Sequence, residues 1–387
     1  MRILYIMRYW PVYGGGETIT ATLANEFTQR GHNIFIAYQF DNVVTPMPYE
    51  VNDKIKLFKT HTIENFTEKD VLNLHNYIVN NHIDVMINQW GDTKLCAKAR
   101  KDTNCKFIVC WHLDVLRKAN DNLGKKDKII KQCLGRTIFN LYDKIRQIKN
   151  HNLNYQLSDK YVFLSDSFVD IYKKLAHLED SDNKLLAISN PLTYNFDYNY
   201  NNIIYKKKEV LFVGRIFEYH KRLSYVLKIW EQIEKDQQLN DWKLRIVGDG
   251  PDMSATKELS NKLKIKRIIF EGFKNPRPYY NDASIFIMTS AFEGFGMTLV
   301  EAQQYGTVPI VMDTYSSLHD IITTENNGLI IPDNEINTYV EKLKHLMLND
   351  KYRLRLAYNG LNSCKKFKVS YITDKWEKLL NDLTINK

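Results

Sequence analysis

Short apolar segments recur along the whole chain, and most are followed by a turn and a stretch with helical spacing. The first apolar segment covers residues 3–7, and Gly14-Gly15-Gly16 follows it. A helical pattern covers residues 17–30, and a second apolar segment covers residues 33–38. This order predicts a βαβ unit, and near-continuous apolar strands between helices indicate parallel sheets covered on both faces. Further strands are predicted at residues 85–88, 107–110, 161–164, 185–188, 210–213, 243–247, 268–271, 285–288 and 308–312.

The chain is long enough for two such domains. Its 387 residues exceed the length at which a single hydrophobic core stops growing. The pattern breaks in a stretch rich in Asn and Tyr that ends in Lys206-Lys207-Lys208, which is typical of a linker. We therefore predict an α/β fold in which two Rossmann-like domains face each other across a cleft. The predicted divisions are an N-terminal domain at 1–193, a linker at 194–208, a C-terminal domain at 209–370, and a final helix at 371–387 that packs back on the N-terminal domain.

The charge balance is basic. The formal net charge is +9, which suits a polyanionic partner such as a nucleotide diphosphate, a lipid phosphate, an anionic membrane or a nucleic acid. Much of this excess lies in residues 116–150, which contain ten Lys or Arg residues and only three Asp residues. Because few aromatic residues are interleaved with these cations, we do not expect nucleic acid as a partner.

The same basic segment carries apolar residues at helical spacing. Ile138, Leu141 and Ile145 belong to this apolar face. Two interpretations remain open: a solvated helix that packs on its own domain, or a basic amphipathic helix that binds a membrane surface. We expect peripheral membrane contact through residues 116–150.

The chain shows no sign of export. Its start is too short and too soon charged for a signal peptide, and no run of about 20 apolar residues could span a membrane. The cysteines are odd in number and scattered, as in reduced cytosolic proteins. We therefore expect a cytoplasmic location, at the inner face of the membrane if the basic segment binds lipid. The five cysteines are Cys96, Cys105, Cys110, Cys133 and Cys364.

The segment from Thr289 to Ala302, T-S-A-F-E-G-F-G-M-T-L-V-E-A, carries the strongest chemical signal. Two glutamates, Glu293 and Glu301, lie eight positions apart, and two glycines follow the first of them. A helix is predicted at residues 297–304. Its first N–H groups and the glycine backbone would favour a bound anion, and Glu301 could bind ribose hydroxyls.

This segment resembles the E-x7-E donor motif of retaining GT-B glycosyltransferases, in particular those of bacterial surface-polysaccharide assembly. Other motifs of that family follow in the same order over nearly the whole chain. They are Gly14-Gly15-Gly16-Glu17, Gly31-His32, Gly214-Arg215-Ile216 with Lys221, and Val247-Gly248-Asp249-Gly250-Pro251.

The resemblance implies a role for each matching residue. Arg215 and Lys221 would bind the donor diphosphate and stabilise the charge that grows on the leaving group. Glu293 would hold sugar hydroxyls and Glu301 the ribose. His112, at the end of a predicted strand, would bind sugar hydroxyls or move a proton. The remaining implied donor contacts are Gly15, Gly16, Phe273, Gly294, Phe295, Gly296, Met297 and Thr298.

The implied reaction is transfer of a hexose or N-acetylhexosamine from a UDP-sugar to a glycan, on a polyprenyl diphosphate carrier. The N-terminal domain would bind the acceptor and the C-terminal domain the donor. Retention of configuration follows from the resemblance, and a covalent intermediate stays open. Because side chains supply the cations, we expect no metal and no other cofactor.

Two further functions stay open. The first is a UDP-sugar 2-epimerase on the same scaffold, and the second is a catalytically silent subunit of a transferase pair. The sequence also departs from the family pattern, with Arg222 where a glycine is usual and Ser316-Ser317 where many members have two glycines. These departures leave the identity of the sugar open.

Overall fold

The computed structural model describes residues 1–11, 14–40, 49–60, 65–116, 125–194 and 200–385. Within these ranges, the side chains of residues 125–136, Tyr200 and Ile385 are outside the description. The chain divides into two compact units. The first comprises Met1–Thr193 together with Val369–Lys387, and the second comprises Tyr194–Lys368.

The first unit is built on a parallel sheet of seven strands in the order β3-β2-β1-β4-β5-β6-β7. The strands are β1 Arg2–Tyr9, β2 Asn33–Phe40, β3 Lys56–Lys59, β4 Val85–Asn88, β5 Lys106–Trp111, β6 Lys160–Phe163 and β7 Leu185–Ala187. The helices between them are α1 Gly15–Gln29, α2 Glu68–Asn80, α3 Thr93–Ala99, α4 Lys125–Leu157 and α5 Asp166–Ala176.

Strand order in this sheet reverses beside β1. That strand pairs in parallel with β2 on one side, with Ile3 opposite Ile34, and with β4 on the other, with Ile3 opposite Val85. The central strands are buried because helices cover both faces, which is why they read as continuous apolar runs. The point of reversal, at the carboxyl ends of β1 and β4, is where open parallel sheets bind ligands.

The second unit has a parallel sheet of six strands in the order β10-β9-β8-β11-β12-β13. The strands are β8 Lys207–Val213, β9 Lys243–Val247, β10 Ile268–Gly272, β11 Ala283–Met288, β12 Val308–Asp313 and β13 Leu329–Pro332. Its α-helices are α6 Glu218–Lys221, α7 Leu223–Glu234, α8 Met253–Lys262, α9 Arg277–Asp282, α10 Met297–Gln304, α11 Leu318–Ile321, α12 Ile336–Leu348 and α13 Asp350–Ser363. Here the strand order reverses between β8 and β11.

The last helix, α14 Val369–Ile385, returns to the first unit and packs against α1. Arg30, just beyond the end of α1, places its guanidinium 2.6 Å from Asp374 and 2.8 Å from Glu377. The imidazole of His32 lies 2.9 Å from the same Glu377 carboxylate. The Gly31-His32 pair of the sequence pattern therefore serves as an attachment point for the C-terminal helix.

The stretch predicted as a linker carries its own structure. Residues 200–205 form a 3-10 helix, and Lys207 already begins β8. The ammonium of Lys206 donates hydrogen bonds to the carbonyl oxygens of Tyr280 and Ala283, and to the hydroxyl of Thr307. From Tyr194 onwards this stretch belongs to the second unit.

Four of the five cysteines are described, and each is a buried free thiol. Burial raises the pKa of the Cys364 thiol to about 12, so the reactive thiolate is suppressed. The side chain of Cys133 is outside the description. Among the helices that the structure describes, none is both long and apolar enough to cross a membrane.

Candidate active site

In the second unit, the residues predicted to bind the donor gather where the strand order reverses. Arg215 follows the end of β8, and the loop of residues 289–296 follows β11. The two strands are neighbours in the sheet, so both connections leave the same edge side by side. This is the position at which parallel α/β sheets bind ligands.

Lys221 and Glu293 form a buried ion pair at this edge. The Lys221 Nζ lies 2.5 Å from Glu293 Oε1, and both side chains are about one-tenth exposed. The imidazole of His220 lies 3.6 Å from the other carboxylate oxygen. Burial alone would raise the pKa of Glu293, but the charge of Lys221 and the hydrogen bond and charge of His220 outweigh it and lower the pKa to about 2. The carboxylate is therefore ionised at any physiological pH.

Arg222 occupies a backbone conformation that favours glycine. Its φ is 48° and its ψ 52°, in the left-handed region, which explains why a glycine is usual at this position. The side chain compensates for this strain: its guanidinium lies 2.8 Å from Asp333 and donates to the carbonyl oxygen of Thr289 at 2.6 Å. Arg222 thereby joins the turn that carries Lys221 to the loop that carries Glu293.

The helix α10 begins at Gly296, and its first N–H groups are open. Gly296 has a φ of 90°, and a Cβ there would lie 2.8 Å from the hydroxyl of Tyr315, so only glycine fits. Among the described residues, none accepts a hydrogen bond from the N–H groups of Met297 and Thr298. These donors and the positive end of the helix suit an anion.

Phe295 was predicted as a donor contact, but its side chain is buried. Its ring packs edge-on against Phe367, with the centroids 5.5 Å apart. Any contact that this residue makes with a donor therefore runs through its backbone. The neighbouring Gly294 carbonyl accepts a hydrogen bond from the hydroxyl of Ser317, one of the serines at the family's glycine pair.

Arg215 is the exposed cation of this edge. Its guanidinium carbon lies 6.0 Å from the centre of the Phe217 ring, and no carboxylate pairs with it among the described residues. The V-G-x-G-P turn packs beneath it. A Cβ at Gly248 would lie 1.9 Å from the carbonyl oxygen of Gly214, and one at Gly250 would lie 2.2 Å from that of Ile216. The two glycines therefore allow the turn to approach the backbone on either side of Arg215.

Glu301 lies one turn into α10, and a buried tyrosine holds it. The Tyr280 hydroxyl donates to Glu301 Oε2 at 3.0 Å. This contact fixes one carboxylate oxygen. Phe273, the predicted contact for the base, follows β10 with its side chain 66% exposed.

In the first unit, His112 sits at the end of β5 in a polar and aromatic setting. Its Nε2 is hydrogen-bonded to the Gln89 side-chain oxygen, and its ring stacks on Trp90 with centroids 4.9 Å apart. Burial lowers the pKa of His112 to about 4, so the imidazole is neutral near pH 7. A neutral imidazole that donates through Nε2 carries its lone pair on Nδ1.

The glycine turn of the first unit lies at the start of α1. A Cβ at Gly16 would lie 2.8 Å from Trp90 Nε1, so the glycine admits the indole to the start of the helix. A Cβ at Gly15 would meet nothing within 4 Å. Gly16 is therefore required by packing, whereas the space beside Gly15 is open.

Four residues of these two sites were not predicted from the sequence. Gln89 and Trp90 directly follow β4, and because β4 was predicted, its carboxyl end was a signal that could have found them. His220 adjoins the predicted Lys221, whereas Tyr280 had no local signal. No group of three or more His, Cys, Asp or Glu side chains in the described ranges could hold a metal ion.

The predicted membrane segment coincides in part with α4. Arg117 and Lys118 lie outside the described residues, and within α4 the side chains of residues 125–136 are not described. Beyond that point Phe139 is buried, whereas an apolar stripe faces outward. This apolar stripe consists of Ile138, Leu141, Tyr142 and Ile145, which are 39% to 59% exposed.

Comparison with known proteins identifies the fold and supports the kind of enzyme. Residues 197–363 match the family model described as "Glycosyl transferases group 1". A solved structure, Anabaena Alr3699/HepE in complex with UDP, superposes with a TM-score of 0.73 over 99% of this chain and 100% of that one, at 15% identity. The fold is therefore that of GT-B glycosyltransferases, and the family match supports a glycosyltransferase enzyme.

Two relatives extend the comparison at the level of sequence. An uncharacterized glycosyltransferase of Haemophilus influenzae is 22% identical over 95% of this chain and 96% of its own length. A Campylobacter jejuni protein is 26% identical over 52% of this chain and 55% of its own length. Its name is GalNAc-alpha-(1->4)-GalNAc-alpha-(1->3)-diNAcBac-PP-undecaprenol alpha-1,4-N-acetyl-D-galactosaminyltransferase.

Proposed function

We propose that this protein is a retaining, metal-independent glycosyltransferase that moves a hexose or N-acetylhexosamine from a UDP-sugar to a lipid-linked glycan during cell-surface polysaccharide synthesis. The observation that carries the proposal is the grouping in the second unit of Lys221, Glu293, Arg215 and the start of α10, where the described residues provide no carboxylate partner for Arg215 and no acceptor for the first N–H groups. Two cations and the backbone N–H groups at the start of α10 can bind an anion. The Glu293 carboxylate beside them can bind hydroxyl groups.

The nucleotide diphosphate suits the cationic part of the site. Arg215 offers a forked guanidinium to phosphate oxygens, and Lys221 offers a compact charge. In the structure Lys221 pairs with Glu293, and a diphosphate would provide it with a second anionic partner. Glu301, one turn into α10 and hydrogen-bonded to Tyr280, is the carboxylate that we assign to the ribose hydroxyls.

The proposed reaction needs no protein nucleophile. The bond between the sugar anomeric carbon and the diphosphate oxygen breaks, and an acceptor hydroxyl oxygen bonds to the same face of that carbon. The acceptor proton passes to the leaving phosphate, and UDP departs. Arg215 and Lys221 stabilise the charge on UDP, which is larger in the transition state than in the bound donor.

The choice of UDP and of a lipid-linked acceptor draws on similar proteins. One matched structure was determined with UDP. The name of the Campylobacter jejuni relative specifies N-acetylgalactosaminyl transfer to a glycan on PP-undecaprenol. We extend both features to this chain, with the acceptor bound by the first unit, and we assign His112 to the binding of sugar hydroxyls or to proton transfer.

Two other functions share this scaffold. A UDP-sugar 2-epimerase would release a free sugar without any acceptor. A catalytically silent subunit would need neither the Lys221–Glu293 pair nor an exposed Arg215, and both are present. The retained charged groups therefore favour the transferase.

The first experiment is a thermal-shift and turnover screen against nucleotides and nucleotide sugars, without added metal and then with EDTA. We expect stabilisation by UDP and by one UDP-sugar, slow hydrolysis of that donor, and no effect of EDTA. Lys221→Ala and Glu301→Ala should abolish the stabilisation. Lys262→Ala and Glu341→Ala, at exposed positions of the same unit, are the matched controls.

Each rival function has its own outcome in this screen. If no nucleotide stabilises the protein, the enzyme function is rejected and the catalytically silent subunit is favoured. Conversion of UDP-N-acetylglucosamine to a 2-epimerised sugar, at a rate that acceptor glycans do not change, would favour the epimerase. Loss of activity with EDTA that added metal restores would overturn metal independence.

The membrane proposal rests on the apolar stripe of α4. Its four members follow the spacing i, i+3, i+4, i+7, so they line one face of the helix. Exposed cations flank it at Lys144 and Lys149. An apolar face beside cations suits an anionic lipid surface, which would hold the enzyme where a polyprenyl-linked acceptor resides, at the inner face of the cytoplasmic membrane.

A further inference from the structure

The first unit contains a cavity that lies away from the residues assigned to donor and acceptor chemistry. Its volume is about 370 Å³, within the range of small-molecule sites. It lies between β3 and α2, and Ile6 of β1 and Leu95 of α3 contribute to its floor. We call it the α2 groove and define it by Phe58, Lys59, Asn73, Asn76, Tyr77 and Asn80.

Asparagine amides form the polar wall of the α2 groove. Asn73, Asn76 and Asn80 follow the spacing i, i+3, i+7 on α2, which places them on one face of the helix. Among the described residues, none forms a hydrogen bond with any of these three amides. Each amide carries two N–H donors and one acceptor oxygen, so this wall can both donate and accept hydrogen bonds.

Two aromatic rings line the groove beside the amides, one from β3 and one from α2 itself. The rings of Phe58 and Tyr77 stack with centroids 3.9 Å apart, and both side chains are half-buried. Charge in the lining is balanced, with one cation at Lys59 and one anion at Asp70. Aromatic rings beside amides, in a lining whose charges balance, suit a neutral ligand with many hydroxyl groups better than a phosphate or a peptide of either sign.

One end of the groove, at Lys59, lies on the same edge of the sheet as His112 but several strands away, and Asn80, at the end of α2, lies toward the opposite edge. Lys59 ends β3, and His112 follows β5, so both are at carboxyl ends of parallel strands. Four strand spacings separate β3 from β5, a distance on the order of 19 Å. A molecule in the groove is therefore not the group that reacts at His112.

We propose that the α2 groove binds a neutral glycan, namely a portion of the acceptor remote from the hydroxyl that receives the sugar. The proposal rests on the function proposed above for the choice of an acceptor glycan. It assigns to α2 a role in holding long acceptors, so the groove would lower the KM for long acceptors and leave short ones unaffected.

Binding is tested by saturation-transfer NMR on the full chain without nucleotide. The probes are neutral oligosaccharides of two to four units, built from glucose, galactose and their N-acetylated forms. The variants are Asn76→Ala/Asn80→Ala, which removes two amides, and Asn76→Trp, which fills the groove. Both positions are exposed, so the fold should tolerate the changes. Asn104→Ala, at an exposed asparagine of the same unit outside the groove, is the control.

We expect at least one probe to bind the wild type and the control equally. Loss of two hydrogen bonds should weaken its binding roughly ten- to thirtyfold in the double variant, and Asn76→Trp should abolish it. Absence of binding by every probe overturns the proposal. Equal binding to the wild type and both variants also overturns it, because the glycan would then lie elsewhere.

Stabilisation by UDP, measured on the same variants, separates this proposal from the function on which it rests. Unchanged stabilisation by UDP with loss of glycan binding supports both. Glycan binding that the variants lose, in a protein that no nucleotide stabilises, supports the groove and removes the transferase. If the variants keep both UDP stabilisation and glycan binding, the proposal for the α2 groove is overturned and the proposed transferase function stands.

Discussion

Lys221 Nζ and Glu293 Oε1 lie 2.5 Å apart in a nearly closed environment, although 72 positions separate the two residues in the chain. The pair joins the short helix after β8 to the loop after β11. Each charge depends on the other, because an isolated charge in such a site is strongly penalised. The pair therefore stabilises the fold, and it also keeps both side chains charged for the proposed contacts with the donor.

Removal of both members of this pair should cost less than the sum of the two single removals. We expect Lys221→Met and Glu293→Gln each to lower the free energy of unfolding by about 3–5 kcal/mol, because each leaves one buried charge unpaired. The double variant should be more stable than the sum of the two losses implies. Urea denaturation of the four proteins measures this coupling, and additive losses would show that the pair is not coupled.

Acid should weaken the protein through Glu293. Its pKa is about 2 in the folded chain and 4.5 without the surrounding structure, so the unfolded chain binds the proton first as the pH falls. The stabilisation is fully present above about pH 4.5 and is lost as the pH falls through 2. Between pH 5 and 3, wild-type stability should fall more steeply than that of Glu293→Gln. Parallel curves in a pH series of denaturant titrations would refute this assignment.

His112 should stay neutral throughout the physiological range. Its pKa is about 4, below the ordinary 6.5, because of burial. An unfolded chain takes up this proton between pH 6.5 and 4 while the folded chain does not, so this contribution to stability is lost as the pH falls through that window. An NMR titration from pH 8 to 5, with the signal assigned by His112→Asn, should show no protonation. A midpoint near 6.5 would contradict the burial of the ring.

Gly296 and Gly15 should respond differently to alanine. Gly296→Ala places a Cβ at a φ of 90° and 2.8 Å from the Tyr315 hydroxyl, so we expect a loss of about 1–3 kcal/mol in unfolding free energy. Gly15→Ala meets open space and should change stability by less than about 0.5 kcal/mol. If the donor lies against the backbone of Gly15, the Gly15→Ala variant should nevertheless lose donor hydrolysis, because the added methyl group would occupy the donor's place. Full hydrolysis by Gly15→Ala would remove that residue from the donor site.

Much of the fold could be predicted because the strands of a parallel sheet are apolar throughout. The strand at Lys243–Val247 and the helix at Met297–Gln304 were predicted with the bounds that the structure gives. Two edge strands were missed for physical reasons. The β3 segment, Lys56–Lys59, has a charged residue at each end and an exposed Leu57, and β13, Leu329–Pro332, is short and ends in proline.

The site was less accessible from sequence, because its geometry depends on contacts across strands. The pattern E-x7-E gave Glu293 and Glu301, but nothing in it indicated that Tyr280 holds Glu301. Likewise, Arg222 departed from the family pattern, and only the structure relates its left-handed backbone to the side-chain contacts that compensate for it. Motifs identify residue types, whereas partners such as these follow from tertiary packing.

The apolar stripe of α4 leads to a prediction about membrane binding. The helix packs on its own unit through another face, where Phe139 and Asp143 are buried, and it leaves Ile138 and Leu141 57% and 59% exposed. We therefore expect the protein to sediment with vesicles containing phosphatidylglycerol, more weakly with phosphatidylcholine alone, and less at high salt because screening weakens the attraction to cations. Leu141→Glu/Ile145→Glu should abolish this binding while leaving stabilisation by UDP unchanged.

The control for this vesicle experiment is Leu348→Glu, at a leucine of the second unit that is 51% exposed. It adds the same kind of charge at a similar exposed leucine but lies off α4, so it should sediment with vesicles as the wild type does. Equal loss in both proteins would indicate that added negative charge alone prevents binding. Binding retained by the α4 variant would overturn the proposal that the stripe contacts the membrane.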